Sequence, residues 1–206
     1  MDKNNRKYLA FSLAELLITL AIISVLMMVL LPILRKKPTD AIGARFRKAF
    51  STLEYVVNYM AGESGYYSSV DGFADMTPIS TEGTKNKFCY WFKESLNVQE
   101  DFGCPNNDEN GTKKFAYSTD DILWFIYPAT FVEASSNYDN KIIVDVNGEK
   151  SPNCLSNTQC ATYKPTGYTC GCAEPDTFIF GIRYDGKVKI SNDSVAESYI
   201  DERKKL

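Results

Sequence analysis

The stretch from Lys7 to Lys37 reads KYLAFSLAELLITLAIISVLMMVLLPILRKK and decides the N-terminal part of the fold. Between Lys7 and Arg35 its only charged residue is Glu15. As an α-helix, Phe11–Leu34 would be about 36 Å long, enough to cross a hydrocarbon core of about 30 Å. The sequence therefore predicts a transmembrane helix over residues 11–37, preceded by a short basic leader over residues 1–10.

A secretory signal peptide is the alternative interpretation of this N-terminus. Signal peptides have a shorter apolar region that ends in a small-residue cleavage site. The apolar segment of this chain is longer and stays apolar until Leu34. We therefore expect the helix to be retained as a single-pass membrane anchor.

The composition of the chain excludes several functions. Among its 206 residues there is no histidine, and the net charge is −3. Without histidine, Ser-His and Cys-His nucleophile pairs cannot form within this chain. A mildly acidic protein with scattered lysines and arginines does not favour nucleic-acid binding. The sequence therefore predicts neither an enzyme nor a nucleic-acid-binding protein.

The cysteines indicate an oxidising compartment. All of them follow the apolar segment: Cys89, Cys104, Cys154, Cys160, Cys170 and Cys172. An even number on one side of a membrane favours disulfides, and the paired CxxC spacing typical of zinc sites is absent. This places the N-terminus in the cytoplasm and the C-terminal part outside it.

The sequence constrains the pairing of the cysteines in disulfides only partly. Cys89 and Cys104 straddle one predicted helix-and-loop unit, so this pair is favoured. The remaining four cysteines would cross-link a single loop. A direct bond between Cys170 and Cys172 would be strained, so each is expected to pair with Cys154 or Cys160, in an order left open.

Periodicity predicts the elements of the C-terminal part. Apolar residues recur every three or four positions in a helix from Ala41 to Met60, and a shorter helix is predicted from Lys87 to Val98. The pair Asp185-Gly186 is a strong hairpin signal. The predicted strands are Ile122–Tyr127, Lys141–Val146, Phe178–Tyr184 and Lys187–Ile190. The loop over 149–176 is expected to be held by disulfides, and the tail from Glu197 to be exposed.

Together these elements predict an α+β fold. A long N-terminal membrane-spanning helix would pack on a small antiparallel β-sheet domain with a disulfide-stabilised loop. Three segments are expected: the leader over 1–10, the transmembrane or filament-core helix over 11–37, and an extracytoplasmic globular domain over 38–206.

The N-terminal residues resemble those of the type IV pilin superfamily, which includes the type II secretion pseudopilins. The matching features are Arg6-Lys7, a small residue at Ala10, the run FSLAELL from Phe11, and Pro32. The family usually has glycine where this chain has Ala10. The resemblance implies a pilin-like fold, cleavage between Ala10 and Phe11 by a prepilin peptidase, and methylation of the new amine of Phe11. It also implies assembly roles for Glu15 and Pro32.

The same resemblance implies location and partners. The chain would be stored in the bacterial inner membrane and then enter a filament in the periplasm or at the cell surface. Its partners would be identical or related pilin subunits, the prepilin peptidase and the inner-membrane assembly platform. Three hypotheses follow: a structural subunit of a type IV pilus or secretion pseudopilus, a minor pilin or tip adhesin that acts as a binding module, and a membrane-anchored enzyme. The third is disfavoured by the composition.

The segment VDVNGEKSPN raises the question of a calcium site. Asp145, Asn147 and Glu149 could supply oxygen ligands, and some pseudopilins bind calcium in a loop near the sheet. Gly148 does not stand where an EF-hand loop needs its glycine. An Asn-Gly turn after a strand explains the same residues more simply, so no cofactor is expected and calcium stays an alternative.

Overall fold

The computed structural model of the chain describes residues 13–34, 41–63, 65–67, 71–75, 83–156, 158–191 and 193–201. Within the first helix, side chains are described over residues 13–28. The chain divides into two compact units, residues 1–40 and 41–206.

The first unit contains helix α1, Leu13–Leu34. Its sequence is rich in leucine, isoleucine and methionine without any charged residue after Glu15. Leucine and methionine are good helix formers, so local propensity and composition agree with a helix here. The helix continues through position 32, so the proline does not end it.

The second unit combines helices with a β-sheet, as the α+β prediction requires. Its helices are α2 Ala41–Gly62, α3 Lys87–Glu94, α4 Cys160–Tyr163 and α5 Ser194–Asp201, with a short 3₁₀ turn at Gly72–Ala74. Its strands are β1 Val98–Asp101, β2 Lys113–Ser118, β3 Leu123–Tyr127, β4 Asn140–Asp145, β5 Cys154–Leu155, β6 Thr169–Cys170, β7 Thr177–Ile182 and β8 Val188–Ile190.

The sheet is larger than expected, and it is mixed rather than antiparallel. Among the described residues it has eight strands, in the order β1-β2-β3-β4-β7-β5-β6, with β8 paired to β7. The neighbouring strands β1, β2, β3, β4 and β7 pair antiparallel in that order, and so do β7 and β8. Strand β5, in contrast, runs parallel to both β6 and β7. The prediction of a small antiparallel sheet is therefore wrong in size and in the direction of β5 and β6.

The main core lies between one face of the sheet and the helices α2 and α3. Helix α2 buries residues at spacings of three and four, among them Phe46, Phe50, Leu53, Val57 and Met60. Side chains alternate between the two faces of a strand, so every second strand residue meets this core. The central strands β4 and β7 are buried along their whole length, which means that both faces of the sheet are covered there.

The opposite face of the sheet carries a second, smaller core. Leu123, Phe125, Ile143 and Ile179 alternate with the residues of the main core and are buried together with Leu155. Leu155 belongs to residues 149–176, the cysteine-containing segment, so this segment covers the second face of the sheet. The cysteine-containing segment therefore packs on the sheet and is not a free loop.

The tail predicted to be exposed from Glu197 begins within helix α5, and its residues Glu197, Ser198 and Asp201 are exposed as expected. Tyr199 and Ile200, in contrast, are partly buried against the main core. Helix α5 packs against α2, and Ala196 is fully buried in the main core. Asp193, itself 2 % exposed, caps the helix by accepting hydrogen bonds from the backbone amides of Val195 and Ala196. It also accepts a hydrogen bond from the Ser156 hydroxyl (2.9 Å), which links α5 to the segment after β5.

Helix α3 also ends earlier than expected, at Glu94 rather than Val98. Asn86 caps its start, because its side-chain oxygen accepts a hydrogen bond from the Cys89 amide at 2.8 Å. Val98 instead begins β1, the edge strand of the sheet.

Candidate functional site

Helix α1 exposes apolar side chains on all sides. Every described residue from 13 to 28 is exposed, including Leu13, Ile23 and Met28. The hydroxyls of Thr19 and Ser24 donate to backbone carbonyls of the same helix, those of Leu16 (2.9 Å) and Leu20 (2.7 Å). They therefore present little hydrogen-bonding capacity to neighbours. A helix that is apolar all round requires an apolar environment.

The structure describes only some of the residues predicted to act in processing and assembly. Ala10 and Phe11 lie outside the described residues. Glu15 is exposed in the first turn of α1, and Pro32 lies in the last part of the same helix. Within the described part of the chain, no helix meets the length and hydropathy needed to cross a membrane.

Three disulfides form in the globular unit. Cys89–Cys104, the pair favoured by the sequence, joins α3 to the segment before β2. Cys154 bonds Cys172 and Cys160 bonds Cys170, so Cys170 and Cys172 each bond one of the two earlier cysteines. The last two bonds fasten the segment that covers the smaller core.

The predicted calcium ligands lie in a hydrogen-bonded turn at the end of β4. The Asp145 carboxylate, fully buried, accepts hydrogen bonds from the Asn147 amide (3.1 Å) and the Tyr168 hydroxyl (2.7 Å). Burial, together with the nearby charge of Asp176, raises the pKa of Asp145 to about 7. The hydrogen bond from Tyr168 has the opposite effect and lowers this pKa. Asp145 is thus arranged as a buried hydrogen-bond acceptor.

The other predicted ligands contribute unequally. Glu149 is exposed and pairs with Lys114 at 3.2 Å. The Asn147 Oδ1 atom is buried and has no hydrogen-bond partner among the described residues. Within the same residues, no group of three or more histidine, cysteine or acidic side chains could hold a metal ion. Calcium at this turn stays a prediction.

Two residues of this region, Asp176 and Tyr168, were not singled out from the sequence. The buried Asp176 carboxylate accepts hydrogen bonds from the backbone amides of Asn153 (2.9 Å) and Cys154 (2.7 Å). It therefore fixes the start of β5 beside β7. Neither residue lies in a recognisable local pattern, since their partners are more than twenty positions away.

A cavity of about 510 Å³ opens between the sheet and the cysteine-containing segment. It is lined by Leu123 and Phe125 of β3 and by Pro165, Thr166 and Tyr168 of the cysteine-containing segment. Polar side chains complete its wall: Thr112, Lys113, Lys114, Glu149 and Asn153. Its volume lies within the range of roughly 300–1,000 Å³ that is typical of ligand sites.

Comparison with known proteins gives one match. A family model described as "Prokaryotic N-terminal methylation motif" matches residues 5–31. No curated protein and no solved structure matches the chain. The motif is characteristic of type IV pilins and pseudopilins, so the resemblance identified from Arg6-Lys7, Ala10, Phe11 and Glu15 is confirmed. The chain therefore carries at its N-terminus a motif that type IV pilins and pseudopilins share.

Proposed function

We propose that this chain is a structural subunit of a type IV pilus or of a type II secretion pseudopilus. The observation that carries the proposal is the methylation motif at residues 5–31, which runs into a helix exposing apolar side chains on all sides. Such a helix is stable in lipid, and equally against other helices of its kind. One segment can therefore serve as a membrane anchor before assembly and as a packing surface afterwards.

Glu15 is the residue that gives assembly its register. A carboxylate placed among apolar groups costs about 2.5 kcal/mol or more unless it finds a partner. Cleavage between Ala10 and Phe11 would create a positively charged amine on Phe11, and methylation would keep its charge. The amine of one subunit would lie beside Glu15 of the next, and any other register would separate these two opposite charges. Pro32 cannot donate a backbone hydrogen bond, which would let the helix bend in the filament.

The location follows from the same proposal. The chain would insert in the bacterial inner membrane with its N-terminus in the cytoplasm. The three disulfides fit an oxidising compartment for the globular unit. The prepilin peptidase, the assembly platform and other pilin subunits would be its partners. This role requires no cofactor.

Mass spectrometry of the mature N-terminus tests processing. With an active prepilin peptidase, the chain should lose residues 1–10 and carry one added methyl group on Phe11. With an inactive peptidase, the full leader should remain. A chain that still begins at Met1 beside an active peptidase, or that is cut elsewhere, would contradict the proposal.

Substitution of Glu15 tests assembly. Glu15→Leu should still insert in the membrane and be processed, but it should be absent from filaments sheared off the cells. Thr19→Leu is the matched control, because it makes α1 more apolar one turn further on without removing a charge. It should enter filaments normally. Normal incorporation of Glu15→Leu, or equal failure of Thr19→Leu, would refute the register role.

A second candidate function is that of a minor pilin or tip adhesin, a binding module in the same type of filament. The cavity beside the cysteine-containing segment favours it, because a purely structural subunit does not need a ligand-sized opening. Quantitative mass spectrometry of purified filaments separates the two. A main structural subunit would dominate the filament, whereas a tip module would be present in very few copies.

A further inference from the structure

We propose that the cavity between strand β3 and the cysteine-containing segment binds a neutral saccharide. The inference deepens the second candidate function, the binding module, but binding itself does not require filament assembly. It can therefore fail while the processing and assembly tests succeed, and the reverse is equally possible.

The walls of the cavity are fixed in position. The disulfides Cys154–Cys172 and Cys160–Cys170 close the segment that carries Pro165, Thr166 and Tyr168. The Thr112 hydroxyl donates to the Tyr163 carbonyl at 2.5 Å, which joins the two sides of the opening. A preformed wall loses little conformational entropy on binding, which favours a specific ligand.

Tyr168 is held from two sides. Its hydroxyl donates to Asp145 at 2.7 Å, and its ring meets Phe125 edge to face with centroids 5.5 Å apart. Phe125 and Leu123 are themselves 4 % and 2 % exposed, so the base of the cavity is apolar. Aromatic and aliphatic groups of this kind suit the C–H face of a sugar ring, which is itself apolar.

The charges at the cavity cancel in pairs. Lys114 lies 3.2 Å from Glu149, and Lys113 lies 3.3 Å from Glu109. A phosphate or carboxylate ligand would have to compete with these carboxylates for the lysines, so the site does not select a strongly charged ligand. The paired groups still supply both donors and acceptors, as sugar hydroxyls require.

Neutral hydrogen-bonding groups add to the same wall. Thr166 is exposed, and Asn153 is half-buried at the point where the cavity meets β5. The Oδ1 atom of Asn153 is buried and has no hydrogen-bond partner among the described residues. Rotation of this amide on ligand binding would supply its missing hydrogen bond, because each sugar hydroxyl can donate.

A peptide ligand fits this site less well. Peptides that add to a sheet pair with the free backbone of an edge strand. The strands beside the cavity, β2 and β3, each pair with a neighbour on both sides. Recognition here must come from side chains, which again favours a ligand rich in hydroxyl groups.

Binding can be tested on the purified full-length chain. The protein is kept in lauryldimethylamine oxide micelles, since that detergent carries no sugar. Saturation-transfer NMR with lactose, cellobiose and N,N′-diacetylchitobiose should detect saturable binding of at least one of them, with a Kd of about 1 mM or lower. Inorganic phosphate should not displace it.

A matched pair of variants localises the binding. Thr166→Trp fills the mouth of the cavity from an exposed position and should weaken binding at least about tenfold. Thr162→Trp, an exposed threonine of α4 outside the cavity, should leave the affinity within about twofold. Near-ultraviolet circular dichroism checks that both variants are folded. Lys113→Gln, at another lining residue, serves as a second cavity variant that should also weaken binding.

Three results would overturn the proposal. The first is the absence of saturable binding of all three disaccharides up to about 10 mM. The second is unchanged affinity in both folded cavity variants. The third is displacement of the disaccharide by inorganic phosphate, which would indicate an anion site instead.

Discussion

Removal of the Cys89–Cys104 disulfide should destabilise the globular unit more than removal of Cys160–Cys170. The first bond closes a sequence separation of 15, for which the loss of loop-closure entropy corresponds to about 3 kcal/mol. Cys89 and Cys104 are also 0 % and 6 % exposed, so alanine at both positions leaves unfilled space worth roughly 1–2 kcal/mol. We therefore expect C89A/C104A to lower the free energy of unfolding by about 4–5 kcal/mol.

The matched control is C160A/C170A. Its bond closes a separation of 10, which gives about 2.7 kcal/mol from the same relation. Cys170 is exposed, so less packing is lost when its sulfur is removed. The difference between the two double variants should be about 1–2 kcal/mol.

Urea unfolding of the full chain in micelles measures both values. The fully buried Trp124 provides the fluorescence signal. With a slope of about 2 kcal/mol per molar urea, C89A/C104A should lower the midpoint by about 2 M. Equal midpoints for the two double variants, or a lower one for C160A/C170A, would refute the reasoning from burial.

Two further predictions concern Asp145 and Gly72. Because burial raises the pKa of Asp145 to about 7 in the folded chain, the folded state holds a proton that the unfolded state releases near its usual pKa of 3.8. The free energy of unfolding should therefore decrease as the pH rises from about 4 to about 7, by at most about 1.4 kcal/mol per pH unit. Asp145→Asn should make this pH dependence weaker. An unchanged pH dependence in urea titrations of the variant would exclude Asp145 as its source. Gly72 has φ +53°, and an added Cβ would lie 2.5 Å from the Tyr184 carbonyl oxygen, so Gly72→Ala should cost about 2–4 kcal/mol by thermal unfolding. Gly62→Ala, where nothing lies within 4 Å, should be close to neutral, and a similar loss in both variants would contradict the close-approach argument.

The sequence predicts elements whose signals are local. Helix α2 follows from the spacing of its apolar residues, and the β7–β8 hairpin follows from Asp185-Gly186. Strands β3 and β4 are apolar runs of the length that strands have. The methylation motif is likewise contiguous, which is why its residues could be recognised without a structure.

The elements that were missed depend on distant partners. Strand β2 begins with Lys113 and Lys114 and contains an irregularity before Ala116, so its pattern resembles a polar loop. Strands β5 and β6 are two residues long each and exist because β5 pairs with β7 and the disulfides hold them. Helix α5 looks like a charged tail, and only its contact with α2 reveals which of its residues are buried.

Part of the candidate site can be predicted from the sequence, and part of it cannot. Glu15 and the cleavage position are visible in the sequence because they belong to one short motif. The cavity is not visible, because its wall combines residues from β2, β3, the turn after β4 and the cysteine-containing segment. No spacing rule brings Phe125 and Tyr168 together, since their contact depends on how the segment folds back over the sheet.

The position of β7 in the sheet affects how the chain can fold as it is made. This strand lies beside β4 at the centre, yet it begins only at Thr177, whereas β4 ends at Asp145. Until the ribosome has passed Ile182, β4 has an unpaired apolar edge that could join another nascent chain. The globular unit therefore cannot be completed stepwise during synthesis. Chains truncated before β7 should therefore be prone to aggregation and degradation.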